Sequence, residues 1–162
     1  MRITKSLIIA FFIFPFNVMG TIPGTMIWFD KEVFFFSGFS LALGGILISI
    51  GVIIIYKTVA LFTSYGEGTP APYDPPKKFV VSGLYGYVRN PMMIGVFSVL
   101  IGEAVFFGSY LILSWALFFM VANLIYVPLF EESELIARFG SPYLEYTKNV
   151  PRWFPMIVPW SP

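Results

Sequence analysis

Apolar residues in this chain run in long blocks, without the short alternation of a half-buried strand. Leu7 to Phe29 is apolar apart from Pro15 and Pro23; Asp30, Lys31 and Glu32 break the pattern, and Val33 to Tyr56 resumes it. After a polar stretch, Met92 to Phe107 and Tyr110 to Phe130 follow, separated only by Gly108 and Ser109. A membrane-spanning helix takes about 20 apolar residues. The pattern therefore predicts about four spans, with the third and fourth forming an antiparallel helical hairpin. The third is short, about 24 Å at 1.5 Å per residue.

The first block follows Arg2 and Lys5, as the apolar core of a cleaved leader also does. Its apolar run continues past a cleavage point near Gly20 and is long enough to span, which favours a retained helix. In the second block Gly38, Ala42, Gly45 and Ser49 recur at helical spacing, predicting a face of small side chains for close helix packing. The connection from Lys57 to Asn90 contains Gly66-Glu67-Gly68-Thr69-Pro70-Ala71-Pro72-Tyr73-Asp74-Pro75-Pro76, too rich in proline for a helix interior. It reads as a loop packed at the membrane surface. The whole chain, residues 1–162, reads as a single membrane domain: two spans in 1–56, a loop over 57–90, and the hairpin plus a C-terminal helical segment over 91–162.

Composition confirms the class and narrows the chemistry. The 162 residues are 57% hydrophobic, 20% aromatic and 12% charged, with a mean hydropathy of +0.81. A soluble core of this size cannot bury that much apolar surface. The expected fold class is an all-α integral membrane protein. Cysteine and histidine are absent, which removes disulfides, thiolate nucleophiles, imidazole bases and the usual transition-metal ligands. No metal site is expected. A net charge of +1 with no basic run gives no sign of a nucleic-acid partner.

Cations fix an expected orientation. Arg2 and Lys5 precede the first span, Lys57, Lys77, Lys78 and Arg89 lie between spans two and three, and Arg138, Lys148 and Arg152 follow span four. Only Lys31 falls on the other side. The positive-inside rule places both termini and the long loop in the cytoplasm, for a protein of the cell (inner) membrane.

Charge in lipid surroundings is costly unless paired, so Arg89, ahead of span three, and Glu131-Glu132, closing span four, are the leading site candidates. The orientation puts them at one membrane face. Asn90 is a favoured N-cap residue, and Pro91 suits the first helical turn, whose free N–H groups attract a carboxylate or phosphate. On a regular helix Asn123, Glu131 and Glu134 share a face, and Glu132 points nearly opposite Asn123. Pro128 threatens that regularity by clashing with the preceding turn.

The string Gly83-Leu84-Tyr85-Gly86-Tyr87-Val88-Arg89-Asn90-Pro91-Met92-Met93-Ile94-Gly95 precedes Glu131-Glu132, Leu135, Phe139-Gly140, Tyr143, Tyr146 and Val150-Pro151-Arg152. Over residues 66 to 155 this order resembles the membrane methyltransferases that include isoprenylcysteine carboxyl methyltransferases and phospholipid N-methyltransferases. The resemblance implies an enzyme using S-adenosylmethionine as cofactor, held at the cytoplasmic ends of the last two spans and covered by the C-terminal segment. The implied cofactor-binding positions are Leu84, Tyr85, Tyr87, Val88, Arg89, Asn90, Pro91, Gly95, Glu131 and Glu132, and the implied catalytic pair is Arg89 and Glu131. Family members often carry Arg-His-Pro-x-Tyr where this chain has Arg89-Asn90-Pro91-Met92-Met93. Asparagine keeps hydrogen bonding but does not titrate.

The implied partners are a small lipophilic methyl acceptor, carboxylate or amine, and membrane lipids. Plainer readings stand beside these. Arg89 can snorkel to headgroups, Glu134 fits a solvated helix, Glu103 fits the outer interface, Tyr143 and Tyr146 fit lid packing on a helix begun by Ser141 and Pro142, and Trp153 and Trp160 fit an interfacial belt. Two other functions share the pattern: an NADPH-dependent membrane reductase of sterol-reductase type, disfavoured by the short chain, and a non-catalytic membrane scaffold. The sequence leaves the acceptor and the oligomeric state open.

Overall fold

The computed structural model describes residues 15–30, 37–66 and 77–161, whose regular elements are all helical, with no strand among them. A helical stretch from Pro15 passes through a π-helical turn at Asn17–Thr21 into α1 (Ile22–Phe29). There follow α2 (Gly38–Tyr65), α3 (Pro91–Phe107) and α4 (Tyr110–Tyr126), then a second π-helical turn (Val127–Glu131), α5 (Glu132–Phe139) and α6 (Ser141–Asn149). Among the described residues two helical segments are long and apolar enough to cross a bilayer, Gly38–Tyr65 and Tyr110–Phe139; α3 is apolar but shorter. The expected first span is described only from Pro15, and most of the proline-rich loop, residues 67–76, lies outside the described residues.

The second helix runs nine residues past Tyr56, so the polar connection begins at Gly66. Lys57 and Thr58 do not break it, because a single lysine has good helix propensity and Ala60, Leu61 and Phe62 restore apolar residues behind it. The Thr58 hydroxyl, fully buried, donates back to the Ile54 and Ile55 carbonyls within the helix. At the other end Ser37 and Ser40 form a reciprocal capping box.

α2 and α3 are packed antiparallel at glycine contacts. A Cβ on Gly51 would stand 2.5 Å from the Gly95 carbonyl oxygen, and one on Gly44 would stand 2.7 Å from the Gly102 oxygen. The two pairs are each seven residues apart, so the backbones approach closely at two points about two helical turns apart. Ser98 adds an interhelical hydrogen bond to the Leu47 carbonyl, 2.8 Å. This corrects the expected packing face. Gly38, Ala42 and Ser49 are exposed and a Cβ on Gly45 meets nothing, while Ser40, Gly44, Gly51 and Thr58 are buried. Both stripes carry small residues at helical spacing; the one that faces α3 is the one whose glycines find glycines opposite.

The hairpin forms as expected. Gly108 takes a left-handed conformation, φ 60°, which closes α3, and Ser109 caps α4 by accepting from the Ile112 N–H. The Ser109 hydroxyl also pairs with the Asp30 carboxylate, tying the end of α1 to the hairpin turn. Farther along α4, the Trp115 indole N–H donates to the Val18 carbonyl, 3.0 Å. One carboxylate oxygen of Glu103 on α3 is buried without a hydrogen-bond partner among the described residues, where the sequence suggested an interfacial side chain.

The α2–α3 contact yields a direct test. Gly51→Val inserts atoms against a backbone oxygen and is expected to cost at least about 1–3 kcal/mol, the usual penalty for overpacking. Gly45→Val serves as the control and is expected to cost well under about 1 kcal/mol, since only helix propensity changes. Thermal unfolding of the detergent-solubilised variants reads the difference, and equal midpoints would show that the glycine contact does not hold the pair.

Candidate functional site

The end of α4 decides which glutamate faces the motif. Pro128 lacks the N–H that would close an α turn, and the chain relaxes into the π-helical turn Val127–Glu131, in which the Glu132 N–H reaches back to the Val127 carbonyl. The extra residue in that turn rotates everything beyond it. Glu132 is thereby brought toward Arg89, and their side chains pair at 2.9 Å, with only 11% and 12% of their surfaces exposed. The two segments predicted to converge do so, through the second member of the doublet. Glu134 is exposed, as the solvated reading expects.

Arg152 completes the cluster, and the sequence reading did not count it among the site residues. Its Nε and Nη2 donate to the two oxygens of Glu132 at 2.6 and 2.9 Å, a two-point grip on a carboxylate that also receives Arg89. Its place in the Val-Pro-Arg string was the only signal, because 20 residues separate it from Glu132. Arg152 is 34% exposed, so it forms the outer wall of the cluster and Arg89 the inner one. The Arg89 Nε is buried and has no hydrogen-bond partner among the described residues.

The C-terminal segment is laid across the motif by backbone bonds. The Arg89 N–H donates to the Pro151 carbonyl, the Met156 N–H to the Tyr87 carbonyl and the Trp160 N–H to the Gly86 carbonyl, at 2.9, 3.0 and 2.9 Å. Gly86 is required for this approach, since a Cβ there would stand 2.9 Å from the Trp160 oxygen. Asn90 occupies the N-cap position of α3 without capping it; its amide donates instead to the Arg152 carbonyl, 3.2 Å. The first N–H groups of α3 are thus left without that side chain, next to Arg89. Trp153 packs its ring 5.8 Å from that of Phe97, which lies six residues into α3, so the segment dips about 9 Å along that helix.

α5 and α6 support the cluster from the other side. Gly140 is the residue that caps α6, so the helix begins at Ser141, one residue earlier than expected, with Pro142 inside its first turn. Tyr143, Tyr146 and Val150 are buried against Phe79, Leu135, Phe139 and Trp160. The Tyr146 hydroxyl donates to the Tyr85 carbonyl, 2.8 Å. Burial first, then Tyr146 and Glu131, pushes the buried Tyr85 phenol well above its ordinary range. Tyr143 goes beyond packing: burial and the Glu132 charge push its phenol up to about 12, against the lowering effect of the Arg89 charge, so it sits within reach of both charges.

The remaining expected site residues separate. Tyr85 lies under Tyr146, while Leu84, Tyr87, Val88 and Pro91 line a cavity on the α2 side of the motif. Gly95 is taken up by the contact with Gly51. Among the described residues no group of histidine, cysteine, aspartate and glutamate is placed to hold a metal ion.

Two helical segments long and apolar enough to cross a bilayer, one of them carrying the buried Glu132, mark an integral membrane protein. A model of the family described as phospholipid methyltransferase matches residues 33–141, and the chain belongs to that family. The match extends through α2, farther toward the N-terminus than the motif string itself. The chain is similar to a protein-S-isoprenylcysteine O-methyltransferase of Schizosaccharomyces pombe, 33% identical over 81 residues, covering 48% of this chain and 33% of that protein. It is also similar to a methanethiol S-methyltransferase of Crocosphaera subtropica, 30% identical over 141 residues, covering 83% of this chain and 52% of that protein. The chain spans from a third to about half the length of these curated relatives.

Removing one partner of a buried pair costs about 3–5 kcal/mol, whereas an exposed pair contributes about 0–1. Glu132→Gln is therefore expected to cost more stability than Arg152→Ala, because it leaves buried Arg89 without its carboxylate. Equal thermal unfolding midpoints for the two variants would contradict the inner and outer assignment. The Tyr143 phenol adds a pH test. Its raised folded value means that folded protein holds the proton more tightly than unfolded protein between pH 10.0 and about 12. Stability should fall across that window, and Tyr143→Phe should lessen the fall.

Proposed function

We propose that this protein transfers a methyl group from S-adenosylmethionine to a lipophilic acceptor at the cytoplasmic face of the cell membrane. The observation that carries the reading is the buried Glu132 carboxylate held by Arg89 and Arg152, beside the start of α3, in a chain of the phospholipid methyltransferase family. The Arg89 Nε, buried and without a hydrogen-bond partner among the described residues, supports the fit of such a donor, since it leaves a charged N–H for a ligand carboxylate to satisfy. When bound, the donor supplies an electrophilic methyl carbon, to which the acceptor's lone pair bonds while the carbon–sulfur pair leaves with sulfur.

The protein's own part is alignment and exclusion of water. Arg89 and the N–H groups opening α3 suit the donor's carboxylate, and Glu131 and Glu132 suit its cationic end. Tyr143, neutral with its phenol pushed up to about 12, serves as a hydrogen-bond donor rather than a base. An ionised carboxylate acceptor needs only orientation, which suits Arg89; an amine acceptor needs a base, for which Glu131 is the candidate. The two curated relatives are named for O- and S-methylation, which favours an oxygen or sulfur acceptor over an amine. Leu84, Tyr87 and Val88 form the wall behind the motif.

The distribution of lysine and arginine supports cytoplasmic placement of this face and of both termini. We read 1–162 as one membrane unit, with the helical stretch ending at Phe29 and the shorter α3 completing four spans.

Isothermal calorimetry on the detergent-solubilised protein is expected to detect S-adenosylmethionine and its demethylated product, with binding weakened at least tenfold, about 1.4 kcal/mol, in Arg89→Ala. Binding of NADPH with none of the methyl donor would overturn the reading. Incubation with labelled donor and a membrane lipid extract, resolved by mass, is expected to label a lipophilic product.

A further inference from the structure

Two open clefts of about 400 Å³ each lie between α2 and the segment 83–91. One is lined by Tyr56, Lys57, Ser64 and Tyr65 of α2; the other by Ile54, Pro91, Ile94 and Pro155. Leu84 and Tyr87 line both, so the two form adjoining parts of one cleft. Arg89, Glu131, Glu132 and Arg152 line neither.

Both compartments are lined mainly by apolar surface, and Lys57, the cation among the lining residues, sits in the one farther along α2. A hydrocarbon layer of about 30 Å takes about 20 residues of helix at 1.5 Å each, so a span that starts at Gly38 leaves the layer at Lys57. The apolar compartment, at Ile54 and Ile94, lies within that layer; the compartment holding Lys57, Ser64 and three tyrosines lies at the depth of lipid headgroups. Tyrosine and lysine at that depth match the ester and phosphate region of a bilayer. A cation above and a greasy slot below complement an amphiphile with an anionic head.

We propose that this cleft is a binding site for one anionic phospholipid of the leaflet bordering the site, with its phosphate at Lys57 and an acyl chain along Ile54 and Ile94. The lipid is a resident of the cleft rather than the methyl acceptor. It buttresses Leu84 and Tyr87, and the Tyr87 carbonyl in turn holds Met156 of the C-terminal segment. The proposal stands independently of the methyl-transfer reading.

Native mass spectrometry of the detergent-solubilised protein titrated with phosphatidylglycerol, or with phosphatidylcholine of the same chains, tests it. One phosphatidylglycerol is expected to be retained in preference to phosphatidylcholine. Retention should fall at least tenfold in Lys57→Gln, return in Lys57→Arg, and stay unchanged in Lys148→Gln, an exposed lysine on α6. Ala60→Trp, which fills the headgroup compartment, should lower retention as well; thermal unfolding confirms that each variant is folded. Equal retention of the two lipids, or retention that neither Lys57→Gln nor Ala60→Trp lowers, would overturn the proposal. So would displacement by soluble glycerol phosphate, which would mark a headgroup-only site. Calorimetry with S-adenosylmethionine on the same samples reports separately on the methyl-donor reading.

Discussion

A single carboxylate, Glu132, holds together three parts of the chain that approach the membrane boundary from different directions. Arg89 comes from the turn ahead of α3, Arg152 from the segment after α6, and Glu132 itself from the end of the long α4–α5 helical run. Any of these charges left alone in a low-dielectric setting would carry a desolvation cost that Coulomb attraction no longer offsets. The pairing therefore constrains the folding of everything near it. The backbone bonds from Arg89, Met156 and Trp160 can form only when the C-terminal segment lies where Arg152 places it.

That constraint rests on a stiff frame. Gly44 and Gly51 against Gly102 and Gly95 bring two backbones into close approach at two points, which fixes the depth at which α3 begins. The hairpin at Gly108 and Ser109 then returns α4 to the same boundary. Aromatic packing of Phe79 with Phe139, Tyr143 and Tyr146 closes the opposite wall. Helix packing, hairpin and aromatic wedge thus set the position of the ion cluster, and the cluster orients the tail.

The membrane character, the hairpin and the convergence of Arg89 with the acidic doublet were legible in the sequence, since block hydropathy and proline position report them directly. The identity of the glutamate was not. Uniform helical geometry groups Glu131 with Asn123 and turns Glu132 away, and only the wider turn at Pro128 reverses this. The packing face of α2 was hidden for a different reason. The helix is apolar all round, so hydrophobicity does not mark a side, and two small-residue stripes compete until the partner helix is known. Arg152 was obscured by sequence distance, and the exit point of α2 by a lysine that the helix tolerates.

The π-helical turn at Val127–Glu131 acts as a phase shifter. One added residue advances the following helix by roughly 100°, the angular step of a 3.6-residue turn. The lipid-facing register of α4 and the solvent-side register of α5 are thereby set independently. Substitutions that tune α4 to bilayer thickness or to its neighbours leave the azimuth of Glu132 untouched, whereas restoring an unbroken α-helix through the turn without deleting a residue would exchange the two glutamates and present Glu131 to the guanidinium groups.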